Sequence, residues 1–169
     1  MRFAYADPPY PGTARRYPEK QEVDHGALVE HLRTFDGWVL HTNPQNARAI
    51  AGLCPEARML AWLKRDALPV AKAGLLYSWE PVFLVPLRRT QHWVRDSVAS
   101  DSVTIGPPSG RFETYRGAKP AVVCRWIFLA AGLETADELT DLFPGSGAVT
   151  RAWNHFRTQG SLPFVEVPA

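Results

Sequence analysis

Apolar residues along this chain recur with two different periods, and the switching between them outlines strands alternating with helices. Residues 2–6 read as a short strand, stopped by Pro8 and Pro9. Over residues 24–35, Leu28, Val29, Leu32 and Phe35 fall at helical spacing, with Asp24 as N-cap and Gly37 as the expected stop. Trp38-Val39-Leu40-His41-Thr42 reads as a buried strand, and Pro44 opens a second helix to about Leu53. Residues 57–63 and 79–87 give two more strands, the second expected at a sheet edge because it contains Pro81 and Pro86. Lys119-Pro120 starts an apolar helix to about Ala131, followed by a strand over 138–143. Pro144-Gly145-Ser146-Gly147 then turns into a helix through about Arg157, and a last strand is expected over 163–167. This alternation predicts an α/β fold, a mostly parallel sheet with helices against it.

Residues 88–117 break the pattern. They carry Gly106-Pro107-Pro108-Ser109-Gly110 together with Arg88, Arg89, Arg95, Arg111 and Arg116, and are expected to form a long surface loop. No repeat and no second domain is apparent, so residues 1–169 are expected to form one domain. Apolar residues make up 46% of the sequence and six are Trp, enough for a real core. A net charge of only +2 excludes a basic coat; nucleic-acid contact would have to come from a local patch of arginines. Cys54 and Cys124 are far apart and in no ligand spacing, which points to reduced thiols and to no bound metal. Neither a signal peptide nor a run approaching the roughly 20 apolar residues of a spanning helix is found. A soluble cytoplasmic protein is the expectation.

Two motifs carry candidate chemistry. Asp7-Pro8-Pro9-Tyr10 directly follows a predicted strand. Consecutive prolines stiffen the loop and hold the Asp7 carboxylate and the Pro8 carbonyl outward. Two fixed acceptors suit an amino group with two donors, and Tyr10 adds a flat face on which a base can stack. A turn with a capping Asp is the plainer reading of the same residues. The second motif, Asp141-Leu142-Phe143-Pro144-Gly145-Ser146-Gly147, sits where a strand hands over to a helix, the place where α/β sheets bind nucleotide-like ligands. Glycines there permit close backbone approach, and a helix N-terminus favours an anionic group; an ordinary tight turn would use the same residues. The third glycine of a dinucleotide fingerprint is missing, since Thr150 stands in its place. A cofactor loop late in the chain and a reactive loop at its start imply a permuted strand order.

In this order the motifs resemble those of the circularly permuted, β-class amino-methyltransferases, the adenine-N6 and cytosine-N4 DNA methyltransferases common in bacteria and phages. The resemblance runs along essentially the whole chain. It rests on Asp7-Pro8-Pro9-Tyr10, Trp62-x-Lys64, Trp79-Glu80-Pro81-Val82, Lys119-Pro120 and Asp141-x-Phe143-x-Gly145-Ser146-Gly147. It implies a Rossmann-like fold with a permuted strand order and S-adenosyl-L-methionine as cofactor. The implied reaction is methyl transfer to N6 of adenine in DNA, because Asp at the first motif position accompanies adenine more often than cytosine. Asp7 and the Pro8 carbonyl would then accept the amine's hydrogens, with Pro9 stiffening the loop and Tyr10 stacking on the base. Phe143, Gly145, Ser146 and Gly147 would line the cofactor, with Ala6, Asp7, Asp141, Lys119 and Pro120 nearby and Glu166 on the ribose hydroxyls. Residues 88–117 stand in place of a full target-recognition domain, so a homodimer or a partner subunit is a further expectation. RNA or a nucleoside as substrate, cytosine N4 as target, and a non-catalytic binding module remain the alternatives.

Arg15, Arg16, Arg111 and Arg116 are candidate phosphate contacts, against a bland reading as solvated arginines. The five histidines show no ligand spacing and receive no chemistry. Trp38, Trp126 and Trp153 read as core, Trp93 is left open, and Glu80 reads more readily as a satisfied strand carboxylate than as a site residue.

Overall fold

The computed structural model describes residues 1–12, 22–64, 78–88, 100–105 and 119–159. The chain runs β1 (Arg2–Ala6), α1 (His25–Leu32), β2 (Gly37–His41), α2 (Ala47–Leu53), β3 (Arg58–Lys64), β4 (Trp79–Val85), β5 (Ser102–Ile105), α3 (Ala121–Ala130), β6 (Glu138–Asp141) and α4 (Ala148–Gln159). The strands form a single sheet in the order β5-β3-β4-β2-β1-β6. Only β4 is reversed, lying antiparallel to both β2 and β3. The pairs β1–β2, β1–β6 and β3–β5 are parallel. The mostly parallel sheet is therefore as expected.

Strand alternation sends successive side chains to opposite faces, and each face has its own core. Phe3, Tyr5, Val39, Leu60, Trp62, Val82 and Leu84 pack with Trp126 and Phe128 of α3 and with Trp153 and Phe156 of α4. Ala4, Ala6, Trp38, Leu40 and Phe83 pack instead with Leu28, Val29 and Leu32 of α1 and Ile50 of α2. Trp38, Trp126 and Trp153 are core residues, as expected. Among the described residues, no helix is long and apolar enough to cross a membrane.

Four expectations change. First, β4 is not an edge strand; it lies inside the sheet between β2 and β3. Pro81 is tolerated because Ala61 opposite it sends its N–H to the Asp101 carbonyl just before β5 (2.9 Å). On the other side the β2–β4 ladder runs out, and the Pro81 carbonyl alone is used, accepting from Thr42 N–H (3.2 Å). Second, Gly37 does not stop α1, which ends at Leu32; it opens β2. A glycine is needed there because a Cβ would meet the Val85 carbonyl oxygen at 2.8 Å and the Leu87 nitrogen at 2.9 Å. Third, residues 88–117 are not loop throughout, since Ser102–Ile105 forms β5 and pairs with β3. Fourth, α2 starts at Ala47 after a turn in which Asn46 N–H donates to Asn43 Oδ1 (2.9 Å), not at Pro44. The predicted N-cap holds: Asp24 Oδ1 accepts from Ala27 N–H at 3.0 Å. The strand expected over 163–167 lies outside the described residues.

Gly37→Ala should lower stability by about 1–3 kcal/mol, since main-chain atoms cannot swing aside as a side chain can. A thermal melt of the variant reads this directly. A melting temperature equal to the parent's would mean that the end of β4 shifts freely.

Candidate active site

Parallel strands of an α/β sheet present their ligands at their carboxyl ends, and both motifs lie there on adjacent strands. β1 ends at Ala6 and runs directly into Asp7-Pro8-Pro9-Tyr10. Pro8 and Pro9 are buried, and Asp7 and Tyr10 half-buried. Tyr5 is in register with Asp141 of β6, and the Leu142 N–H extends that pairing by donating to the Tyr5 carbonyl (2.9 Å). The glycine loop that follows thus lies beside the Asp-Pro-Pro-Tyr loop.

That second loop is shaped by backbone. Gly145 (φ 43°) and Gly147 (φ 72°) both take left-handed conformations. Gly147 N–H donates to the Pro144 carbonyl at 2.6 Å, closing the turn. The Asp141 carboxylate pins it from below, accepting from Phe143 N–H (3.3 Å) and from the Thr150 hydroxyl (3.4 Å). α4 begins at once, so its first N–H groups face the loop. Burial pushes the Asp141 carboxyl up, against those two donors, and the nearby Asp7 charge adds to the shift. Two carboxylates at neighbouring strand ends make this gap favourable for a cationic ligand group.

Beneath Asp7 lies a polar network that the sequence reading did not assign. It follows the side of the sheet facing α3 and α4, across β1, β2, β4 and β3. The Tyr5 hydroxyl donates to His41 Nε2 (2.8 Å), and His41 Nδ1 donates to Glu80 Oε1 (2.7 Å). A carboxylate only accepts, which fixes the proton of a neutral His41 on Nδ1. Lys64 Nζ donates to Glu80 Oε2 (2.7 Å) and lies 4.2 Å from the Trp62 ring centre. Lys119 Nζ donates to Glu80 Oε1 (2.5 Å), forms an ion pair with Asp7 Oδ1 (3.1 Å), and lies 5.2 Å from the same ring. Lys119 stands just before the helix N-cap Pro120, which keeps its backbone extended and aims it at the strand ends.

The electrostatics follow from burial and pairing. Burial alone would push the Glu80 carboxyl up, but the Lys119 ammonium and the His41 hydrogen bond outweigh it, holding Glu80 well below the usual carboxylate range. Burial would likewise lower Lys119, but Asp7 and Glu80 hold it charged well above the usual lysine value. Burial and the Lys119 charge lower His41 in spite of Glu80. Burial pushes Tyr10 well up, opposed by the Lys119 charge and reinforced by Glu80 and Asp7. Among the described residues, Asp7, His41 and Glu80 bring ligand atoms within 4.8 Å of one another, a grouping able to hold a metal ion. The Lys119 ammonium already bridges two of the three, so a fixed cation takes that place.

The expected site residues fare unevenly. Asp7, Pro8, Pro9 and Tyr10 converge with Lys119 and Pro120, and Asp141, Phe143, Gly145, Ser146 and Gly147 form the adjacent loop. Ala6 is fully buried, in the core against α1 and α2. Glu166, Arg15, Arg16, Arg111, Arg116 and Trp93 lie outside the described residues. Glu80 is a satisfied strand carboxylate, the reading the sequence favoured, and through Lys119 it is joined to Asp7. His41, to which no chemistry was given, is hydrogen-bonded to it. Their signal was parity: His41 shares its strand face with Val39, and Glu80 shares its own with Val82 and Leu84, so both are polar residues on a core-facing row.

No protein-family model matches the chain, and no curated protein matches it in sequence. Solved structures are similar to it. The crystal structure of M1.HpyAVI gives a TM-score of 0.58 at 11% identity, covering 92% of this chain and 76% of that one. The crystal structure of the M1.HpyAVI–SAM complex gives 0.57 at 15% identity, covering 90% and 77%. The chain thus shares the Rossmann-like α/β fold of these structures.

Lowered by burial, His41 binds a proton less readily in the folded chain than in the unfolded one. Stability contributed by His41 should therefore be present above pH of about 6.5 and fall as the pH drops below that value. As the pH falls, the imidazole signals of His41 should leave the neutral Nδ1–H form later than those of a free imidazole, read by NMR alongside thermal melts. Ordinary titration of His41 with no loss of stability would refute this ordering of the forces.

Proposed function

We propose that the protein transfers a methyl group from S-adenosyl-L-methionine to the exocyclic N6 amine of adenine in DNA. The observation that carries this reading is the juxtaposition of the Asp7-Pro8-Pro9-Tyr10 loop and the Gly145-Ser146-Gly147 loop on adjacent parallel strands. It is supported by a fold shared with a protein solved as a SAM complex. The strand order fits the circularly permuted form: the acceptor loop follows the first strand, the glycine loop the last described one, and the two are sheet neighbours.

The residues present fit the cofactor. Left-handed glycines leave exposed backbone between Phe143 and Gly147, α4 offers N–H groups for a carboxylate, and Asp7 with Asp141 favours a cationic sulfur. In this reading Phe143, Gly145, Ser146 and Gly147 hold the cofactor, with Asp141, Lys119 and Pro120 around them and Glu166 on its ribose. When bound, S-adenosylmethionine supplies an electrophilic methyl group on a cationic sulfur. The protein's own task is to prepare the amine, whose lone pair is delocalised into the purine ring and is weakly nucleophilic. The Asp7 carboxylate and the Pro8 carbonyl each take one hydrogen of the amine, favouring a pyramidal nitrogen with its lone pair directed out of the ring. Lys119 occupies Asp7 Oδ1 and leaves the other carboxylate oxygen for the substrate. Tyr10 holds the base plane. Catalysis is then alignment plus stabilisation of developing positive charge. A base in a duplex has to be swung out to reach this site. Arg15, Arg16, Arg111 and Arg116 are assigned the phosphate contacts, and residues 88–117 the place of a target-recognition domain within one methyltransferase domain.

Methyl-labelled S-adenosylmethionine incubated with duplex DNA, single-stranded DNA and RNA should leave its label in N6-methyladenine from DNA. Asp7→Ala should lower the rate by about 10²- to 10³-fold, the scale set by loss of one transition-state partner, while cofactor binding persists. Label only in RNA would change the substrate, and label in N4-methylcytosine the base. Cofactor binding without transfer to any of the three would overturn the reading.

A further inference from the structure

We infer that Glu80 is a positioning residue that sets the Asp7 carboxylate of the clamp through Lys119. The inference rests on the methyl-transfer reading for what the clamp is used for, and on geometry for how it is held. Glu80 is only 4% exposed, yet it meets neither substrate nor solvent in any obvious role. Its two oxygens are shared out. Oε2 takes Lys64 at 2.7 Å; Oε1 takes His41 at 2.7 Å and Lys119 at 2.5 Å. One further link runs from this carboxylate into the Asp-Pro-Pro-Tyr loop, because Lys119 reaches on to Asp7 Oδ1 at 3.1 Å.

Without Glu80 the Lys119 ammonium would have Asp7 as its only close carboxylate among the described residues and could draw it inward, away from an incoming amine. Glu80 is itself fixed from behind by His41 and Tyr5, and from the open side by Lys64, whose ammonium rests against Trp62. The acceptor is therefore set from the second strand in from the reactive loop, β4. Its reversed direction brings the start of that strand, where Glu80 lies, level with the carboxyl end of β2.

The test uses Glu80→Gln, which keeps shape and removes charge, together with Lys119→Gln and the double variant. Folding is verified by thermal melts. With cofactor saturating, the single-turnover methylation rate of Glu80→Gln should fall by about 100-fold, the usual effect of a misplacement near 1 Å. Cofactor affinity, read by calorimetry, should stay within about 2-fold. The double variant should be no slower than the slower single variant, because Glu80 acts on Asp7 through Lys119. Independently of turnover, a crystal structure of Glu80→Gln should show the Asp7 carboxylate drawn toward Lys119. A folded Glu80→Gln with parental rate, an Asp7 that stays in place, or losses that add in the double variant overturns the inference and leaves the methyl-transfer reading intact. A parent that transfers no methyl group, with an Asp7 that still moves in Glu80→Gln, overturns that reading and supports the arrangement.

Discussion

A carboxylate taken out of water must be met by enough charge and enough donors to offset its lost hydration, or it will not stay ionised. Glu80 is met by two ammonium groups and an imidazole N–H, and much of the site is arranged around that requirement. Lys119 is in turn too deeply buried to keep its charge without carboxylates, and it is drawn between Glu80 and Asp7. The pairing has a consequence for chemistry at Asp7. A carboxylate with one oxygen held by an ammonium presents the other oxygen in a defined direction. Breaking such a buried pair on one side only is strongly destabilising, since it strands the remaining charge.

The two loops depend on a different constraint, the stiffness of their backbones. Pro8 and Pro9 remove freedom on one side of the gap between β1 and β6; Gly145 and Gly147 use a conformation closed to most residues on the other. One loop thus presents a fixed side chain and carbonyl, the other a fixed stretch of main chain. Parallel pairing of β1 with β6 brings the two together, through Tyr5 opposite Asp141.

How much of this was legible in the sequence depends on the range of the interaction. Local signals read well. Asp24 caps α1, the Trp38 strand is buried, and both loops follow strands as their prolines and glycines indicated. What depended on neighbours distant in the chain read poorly. Pro81 argued for an edge, and only the outward N–H of Ala61 and the end of the β2 ladder explain why an interior position tolerates it. Gly37 looked like a helix stop because its real constraint, the approach of the Val85–Leu87 backbone, comes from the neighbouring strand β4, far along the chain. Four residues of β5 inside a Gly- and Pro-rich stretch are too few to carry a periodicity. His41 was given no chemistry because ligand spacing was sought along the chain, while its partners are assembled across strands.

Pairing of β1 with β6 also bears on the order in which the molecule can be made. Arg2 and Glu138 are partners in the sheet although most of the chain lies between them. β1 can meet β2 soon after both have been synthesised, and β3 and β4 can add to that nucleus as they emerge. β6 arrives long after, and closing so large a loop is a late entropic toll. Until then β1 has one open edge, and its buried apolar face still lacks α3 and α4. The gap between the two loops therefore comes into being only at the last docking step, and partly folded chains contain no version of it.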